Sequence, residues 1–440
     1  MPPLDLQSAT DVMKIRFINQ LQDLSIEQWQ QLQHDGNPFM RREFLLALEL
    51  SGAASEKSGW QPMHLVLEDD QGLAGFMPLY LKNHSYGEYV FDWAWADAYE
   101  RYGLAYYPKL VSAVPYTPSQ GQRILLRKGI QPNDCIPLIL KEIKKQANQL
   151  GASSWHLLFP SEDENQSLEN TGTLTRLNCQ FHWFNRDNWQ DFEQFLGSFS
   201  SRKRKNVRQE RRKIEQQSLT LQRIPGTEIT QVQLDHFYRC YHITYLQRGR
   251  RGYLNKAFFQ HLLDTMPEQM MLVIAEHHFH ANNQHSSMSH NRSHTEANSN
   301  QHNPGDNQAD SEAIQDTHDE PSESNDMVTR PVAAALFFHD AESLYGRYWG
   351  SVVDADCLHF EACYYQGIEF CLEKGLKHFD PGTQGEHKIS RGFKPIITCS
   401  NHWVAEEGFQ DALKQFVLEE AEHTFRYAQE AENLLPFKQV

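Results

Sequence analysis

The sequence predicts a mixed α/β protein. Three observations carry this: capped helical stretches alternate with short apolar, strand-like runs, the same order of elements occurs twice, and 40% of the 440 residues are hydrophobic, enough for a real core. That length suits two or three domains of ordinary size.

From the N-terminus, Ser25-Ile-Glu-Gln28 reads as a capping box opening a helix, and Asn37-Pro38 precedes a second helix over FMRREFLLALEL. MHLVLED and LAGFMPLYLK read as strands joined by a hairpin at Asp70-Gln-Gly72. KLVSAV leads into the loop PYTPSQGQR, then a helix IPLILKEIKKQANQL with Asn133 and Asp134 as caps, then a strand SSWHLLF. Beyond a basic stretch, helices near 232–245 and 256–266 precede the strands MMLVIAEHHF, VAAALFFH and LYGRYWG. The helix CLHFEACYYQGIEFCLEKG and the strand KHFDPG follow. Two helices, antiparallel strands, a helix and a strand, twice over, predict a duplicated domain whose halves are alike in pattern and not in sequence.

The formal net charge of -16 is unevenly spread. Residues 277–330 hold nine acidic residues, two arginines and eight histidines with almost no large apolar side chains, so they predict a disordered insertion between two strands. The histidines repeat at no fixed spacing, and no metal site is expected. The seven cysteines are scattered without a C-x-x-C, which speaks against a disulfide framework or a zinc site. No apolar run has the length of a membrane span, and MPPLDLQSATDVMKIRF lacks a basic start followed by an apolar stretch, so a cytoplasmic protein is expected.

Against that acidity, eight of the twelve residues from Arg202 to Lys213 are Lys or Arg. On a helix, Val207 and Ile214 anchor one face and the rest is positive. Either this is a solvated linker helix, or Arg202, Lys203, Arg204, Lys205 and Arg208 receive the phosphates of a donor substrate. On the helix around Leu358–Lys374, stepping 100° per residue puts Glu361 in the middle of an apolar face, with Gln366, Glu373 and His359 opposite. A carboxylate there is a general base with a raised pKa, or a core residue paired with Arg347 or Lys388. GTQGEHKISRG, Gly382 to Gly392, crowds Glu386, His387, Lys388 and Arg391 after a strand, a density that favours a ligand site over a polar turn. In LYGRYWG, Arg347 lies between aromatics, where it stacks or pairs. SYGEYVFDWAWADAY sets Glu88, Asp92 and Asp97 among aromatic rings, with Tyr86 and Trp95 forming a platform for a sugar or an amine, or else a buried aromatic core.

SYGEYVFDWAWADAY, YYPKL, LYGRYWG, LHFEACYYQGIEF and FDPGTQGEHKISRGFKP, in this order, resemble the FemAB-like group of bacterial peptidoglycan-biosynthesis proteins within the GNAT acyltransferases. The resemblance runs from about Asn37 to Trp403, apart from the insertion. It implies two tandem GNAT-like domains, each a mixed, mostly antiparallel sheet flanked by helices. The expected division is 1–197 and 219–405 for the domains, 198–218 for the basic linker helix and 406–440 for a C-terminal helix. It also implies an acyl or aminoacyl transferase that draws on acyl-CoA or aminoacyl-tRNA, acts on a small-molecule or nucleotide-linked acceptor and uses no metal. On this resemblance His387 becomes an acid/base beside Glu361, and Lys388 with Arg391 become anion binders. Gly121 takes the place where GNAT domains cradle the coenzyme A pyrophosphate, although PYTPSQGQR lacks the fuller Q/R-x-x-G-x-G/A pattern. A non-catalytic recognition module with a filled cleft, and an RNA-binding protein centred on the basic helix, are the alternatives.

Overall fold

The computed structural model describes residues 13–169, 171–280, 327–383 and 385–438. The strands of the first half are β1 (Lys14–Ile18), β2 (Leu32–Gln33), β3 (Trp60–Pro62), β4 (His64–Asp69), β5 (Gly72–Met77), β6 (Tyr80–Lys82), β7 (Lys109–Ser112), β8 (Leu125–Arg127), β9 (Ser154–Leu158) and β10 (Leu174–Phe184). Those of the second half are β11 (Leu219–Pro225), β12 (Met270–His280), β13 (Met327–His339), β14 (Ser343–Ser351), β15 (His378–Asp380) and β16 (Lys394–Val404). They form a five-stranded sheet in the order β1-β4-β5-β8-β2 and an eleven-stranded sheet in the order β11-β12-β13-β14-β15-β10-β16-β9-β7-β6-β3. Helices flank both, and the mixed α/β class is met.

Local chemistry explains most of the elements. Ser25 and Gln28 form the expected capping box, each side chain accepting the other's backbone N–H. Asn37 caps a short 3-10 turn that leads into the helix Arg42–Leu50. The helix Pro132–Leu150 starts earlier than predicted, because Pro132 fits a first-turn position and Gln131 with Asp134 closes the capping box.

The duplication is visible as two parallel pairs, each joined by a helical crossover: β7 with β9 across Pro132–Leu150, and β14 with β15 across the segment 358–374. The last strand of each half pairs with the other half. β10 lies between β15 and β16, with Trp183 opposite Phe379 and Leu177 opposite Cys399, while β16 continues to β9 with Trp403 opposite Trp155. The sheet therefore does not divide at the boundaries 1–197 and 219–405, and the exchanged strands tie the halves together. The C-terminal helix, Glu407–Glu432, packs on β10 and β16 and is held there by a two-pronged Arg176–Glu420 pair at 2.6 and 2.7 Å.

At the insertion, β12 and β13 run further than their apolar cores, with His277 opposite Arg330 and His280 opposite Met327. The eight end residues of the expected disordered stretch are thus paired strand, and its remainder, 281–326, lies outside the described residues.

The two parallel pairs end differently. In the first half, the segment Ala113–Ser119 that follows β7 is buried, and the Gly121 N–H just beyond it donates to the Phe159 carbonyl at the end of β9. Arg123, 1% exposed, sews it down by donating to the carbonyls of Ser119, Gly121, Gln122 and Leu158. In the second half, β14 and β15 pair only from Ser343–His378 to Tyr345–Asp380, after which Pro381 takes the chain away. That gap is left open.

Candidate functional site

Beyond Tyr345, β14 continues to Ser351, where β13 is its only strand partner among the described residues. The backbone polar groups on its other edge must find partners outside the sheet, as the Gly346 carbonyl does by accepting from Arg347 Nη1 at 3.0 Å. A bulge sharpens this, because Leu336 faces Tyr348 while Phe337 faces Gly346, which leaves Arg347 as the extra residue. Bulges of this kind re-aim the chain beside functional sites. Here a cavity of about 600 Å³ opens at the carboxyl ends of the parallel pair, where open α/β sheets bind ligands.

Both halves build its walls. Tyr89 and Tyr116 come from the first half, and Tyr245 and Arg248 come from the helix Gln231–Gln247 and its cap. Tyr116 stacks on Tyr253 with ring centroids 4.9 Å apart. Across from them stand Tyr364, His359 and His387. The Tyr364 hydroxyl lies 2.8 Å from His387 Nε2, and the His359 and His387 rings are 5.8 Å apart. Burial, followed by the charges of Arg391 and Lys388, lowers the pKa of His387, and burial pushes His359 down to about 4. Both imidazoles are therefore neutral near pH 7. Burial raises the Tyr364 pKa, so its phenol keeps its proton.

The segment that presents Tyr364 departs from a regular helix. Leu358–Phe360 is α-helical, Glu361–Tyr365 winds as a π-helix, and Gln366–Lys374 returns to α. The wider turn breaks the 100° step used to place side chains from sequence, and it is a common device at functional sites. It brings Gln366, expected on the opposite side, round to donate to Glu361 Oε1 at 2.8 Å.

Several predicted site residues do not lie at this cavity. Glu361 is buried, but it is gripped by Arg211 through Nη2 at 2.9 Å and Nε at 3.1 Å, and it does not line the cavity; it is a core partner and not a free base. Its partner is neither Arg347 nor Lys388. Burial raises its pKa, and Arg211 pulls the other way.

Arg347 and His387 do reach the cavity. The Arg347 guanidinium, however, is 2% exposed, paired with Asp380 at 2.5 Å and set over the Phe39 ring, so it organises the site instead of holding an anion. Lys388 is buried and donates to the Gly382 carbonyl at 2.5 Å, with a pKa lowered by burial to about 8. Arg391 pairs with Glu210 at 2.8 Å, lies 3.4 Å from the Phe360 ring centroid and donates to the His387 carbonyl. Both cations brace the loop that carries His387.

Gly121 holds no pyrophosphate, since its N–H is taken by the Phe159 carbonyl and a Cβ there would meet Asn37 Nδ2 at 2.7 Å. The proposed acceptor platform is a core. Glu88 and Asp92 are buried around Lys109, Trp95 is 2% exposed against His402, and only Tyr86 and Asp97 stay exposed.

The basic helix, Ser201–Gln216, sits on the outside. Its C-terminal part is tied down by Arg211 to Glu361 and Glu369, Lys213 to Asp356, and Glu210 to Arg391. Arg208 pairs with Glu193. Arg202, Lys203, Arg204 and Lys205 make no ion pair among the described residues.

Tyr364, His359, Tyr245 and Arg248 were missed as site residues. Tyr364 and His359 stand in LHFEACYYQGIEF, where only the carboxylate drew attention. The RGRRGY run after Tyr245 carried a signal of its own, three arginines beside glycines in an acidic chain. No helix among the described residues is long and apolar enough to cross a membrane.

A search of curated proteins gives no match to this sequence. Among solved structures, FemX is similar at 11% identity, covering 87% of this chain and 96% of its own, with a TM-score of 0.46. L-PGS from Bacillus licheniformis is similar at 10% identity, over 87% and 98% of the two chains, with a TM-score of 0.43. A tandem GNAT protein from the clavulanic acid biosynthesis pathway is similar at 7% identity, over 90% and 99%, with a TM-score of 0.41. The family model described as FemAB-like, peptidoglycan biosynthesis/recognition, matches residues 20–290 and 323–439. That match takes in both halves, the exchanged strands and every wall of the cavity, and the chain belongs to the FemAB-like family.

Proposed function

We propose that this chain is a transferase that moves an acyl or aminoacyl group onto an amine, the acceptor being a cell-envelope precursor. One observation carries the reading: the unpaired edge of β14 and the His387–Tyr364 pair face the same cavity. N–H groups on that edge are suited to an oxyanion, which needs donors already in place. Neutral His387 accepts a proton through Tyr364: the amine gives its proton to the phenol oxygen as the phenol proton moves to Nε2. A C–N bond forms, the ester or thioester bond of the donor breaks, and the proton ends on the departing oxygen or sulfur.

The free cations of the basic helix, Arg202 to Lys205, suit a polyanionic donor such as acyl-CoA or aminoacyl-tRNA. The helix is linked to the catalytic wall through Glu210, Arg391 and the His387 carbonyl. The proposed chemistry uses no metal. The open cavity speaks against a recognition module whose cleft is filled by side chains.

The test incubates the protein with acetyl-CoA, longer acyl-CoAs or aminoacyl-tRNA and UDP-linked amine acceptors, and follows acceptor mass. Product is expected with one donor class, and Tyr364→Phe and His387→Gln should each lower turnover about 10²-fold or more while the fold persists. Undiminished turnover in both variants would remove the assignment.

A further inference from the structure

The cavity does not stop at Trp349. A second hollow of about 440 Å³ reaches from Gln247 to Asp354 and shares Thr244, Arg248 and Trp349 with the first. Arg248 stands at the junction as the cap of the helix Gln231–Gln247, exposed to solvent. It opens the run Arg248-Gly-Arg-Arg-Gly252, and its three arginines make no ion pair among the described residues.

This run is pinned at its far end. Gly252 lies so close to Tyr241 that a Cβ would meet the ring at 2.7 Å, Tyr253 stacks on Tyr116, and the Leu254 N–H donates to the Tyr241 hydroxyl at 3.3 Å. Among the described residues no Asp or Glu lines the inner cavity, and Asp354 lines the outer one. Three guanidinium groups without an ion pair among the described residues, with Arg248 at the junction of the two hollows, make a local positive field on a chain of net charge -16 that draws an anion.

We infer that Arg248 anchors the anionic group, phosphate or carboxylate, of an elongated substrate laid along both hollows, with Arg250 and Arg251 extending the field outward. Guanidinium suits either group, since its planar N–H pairs bind both in two-pronged fashion. The transferase reading enters only in placing the reacting end at His387, and the anion site stands without turnover.

The experiment titrates the full chain with inorganic pyrophosphate and with glutarate, by calorimetry and by tryptophan fluorescence. At least one probe should bind, with a fluorescence change that disappears in Trp349→Phe while the heat remains. Arg248→Gln should weaken that binding about tenfold or more, as loss of a charge-assisted contact does. Arg212→Gln, on the basic helix and outside the cavity, should leave it within about twofold. Preference for pyrophosphate names a phosphate, and preference for glutarate names a carboxylate. Failure of both probes at millimolar concentration, or equal losses in the two arginine variants, would overturn the site. Both titrations read binding without turnover, so a failure of the transferase reading and a failure of the anion site give different results.

Discussion

Replacing Glu361 with glutamine separates a structural carboxylate from a catalytic one. The Glu361 side chain is 5% exposed and that of Arg211 is 30% exposed. Removing one partner of a fully buried pair costs about 3–5 kcal/mol, because the other charge is stranded. Arg211 would not be stranded: it keeps Glu369 at 2.5 Å and sits 4.7 Å from the Phe192 ring centroid. Glutamine also keeps the size of the side chain and one acceptor oxygen. Discounting for these partners and for solvent screening leaves a cost of about 1–2 kcal/mol, and for a chain of this length the melting temperature should fall by roughly 1–4 °C. Thermal and urea unfolding measure this, and the transfer assay on the same preparation should show turnover within about threefold of wild type, since a group outside the cavity touches no reacting atom. Turnover lost by orders of magnitude with an unchanged melting temperature would refute the structural assignment and return Glu361 to the role of base.

Arg123→Met removes the donor to four carbonyls, those of Ser119 and Leu158 buried and those of Gly121 and Gln122 half-buried, and should destabilise the protein by about 2–4 kcal/mol; because the same segment carries Tyr116, pyrophosphate or glutarate binding should weaken with it, and unfolding titrations that match wild type would deny the clamp. Burial holds His156 and His182 at about 3 and His359 at about 4, and it drives His402 well below its ordinary range. The unfolded chain takes up protons below pH 6.5 that these imidazoles refuse in the folded state, so their contribution is complete above that value and is lost as pH falls, by up to roughly 1.4 kcal/mol per pH unit for each. A melting temperature that stays flat between pH 6.5 and 5 would contradict this. Gly350→Ala would bring a Cβ to 2.0 Å from the Cys240 carbonyl oxygen, forcing the helix Gln231–Gln247 off β14, and should cost about 1–3 kcal/mol by chemical unfolding. Excising 281–326 and joining His280 to Met327 through Asn-Gly suits their direct pairing, so the melting temperature should hold or rise; a large loss would show that the excised residues support the fold.

The elements visible in the sequence are those whose own residues announce them. Capping boxes, the apolar runs of β12, β13 and β14, and the order of elements in each half could be read locally. β10 and β16 could not, because LTRLNCQFHWF and KPIITCSNHWV alternate only weakly and owe their place to partners in the opposite half. The same limit explains the site. The density of charge after β15 pointed to His387, which lines the cavity, yet whether Lys388, Arg391 and Arg347 face a ligand or one another depends on Asp380 and Glu210, each distant in sequence. Glu361 is buried as its helical projection indicates, but its partner Arg211 is distant in sequence, and the π turn rotates later residues such as Gln366 out of the regular projection.

The duplicated unit gives the protein two parallel strand pairs that could each open into a cleft, and it uses them unequally. The segment Ala113–Arg123 fills the first gap, and the same segment lends Tyr116 and Pro118 to the wall of the second. One loop therefore closes one potential site and completes the other, which makes Arg123, far from the chemistry, a determinant of cavity shape. The exchanged strands limit how that cavity can move. A hinge between the halves would have to break the β10–β15 and β16–β9 pairing, a cost that ligand binding does not repay. Entry and release then fall to the loops around the cavity. Gly382 and Gly385 hold φ of +92° and +110°, and Gly249 holds +70°, conformations that glycine adopts without strain and that shape the turns on either side of the cavity. The shared sheet fixes the place of the cavity, and the loop that carries His387 and the segment from Arg248 to Tyr253 stand on either side of it.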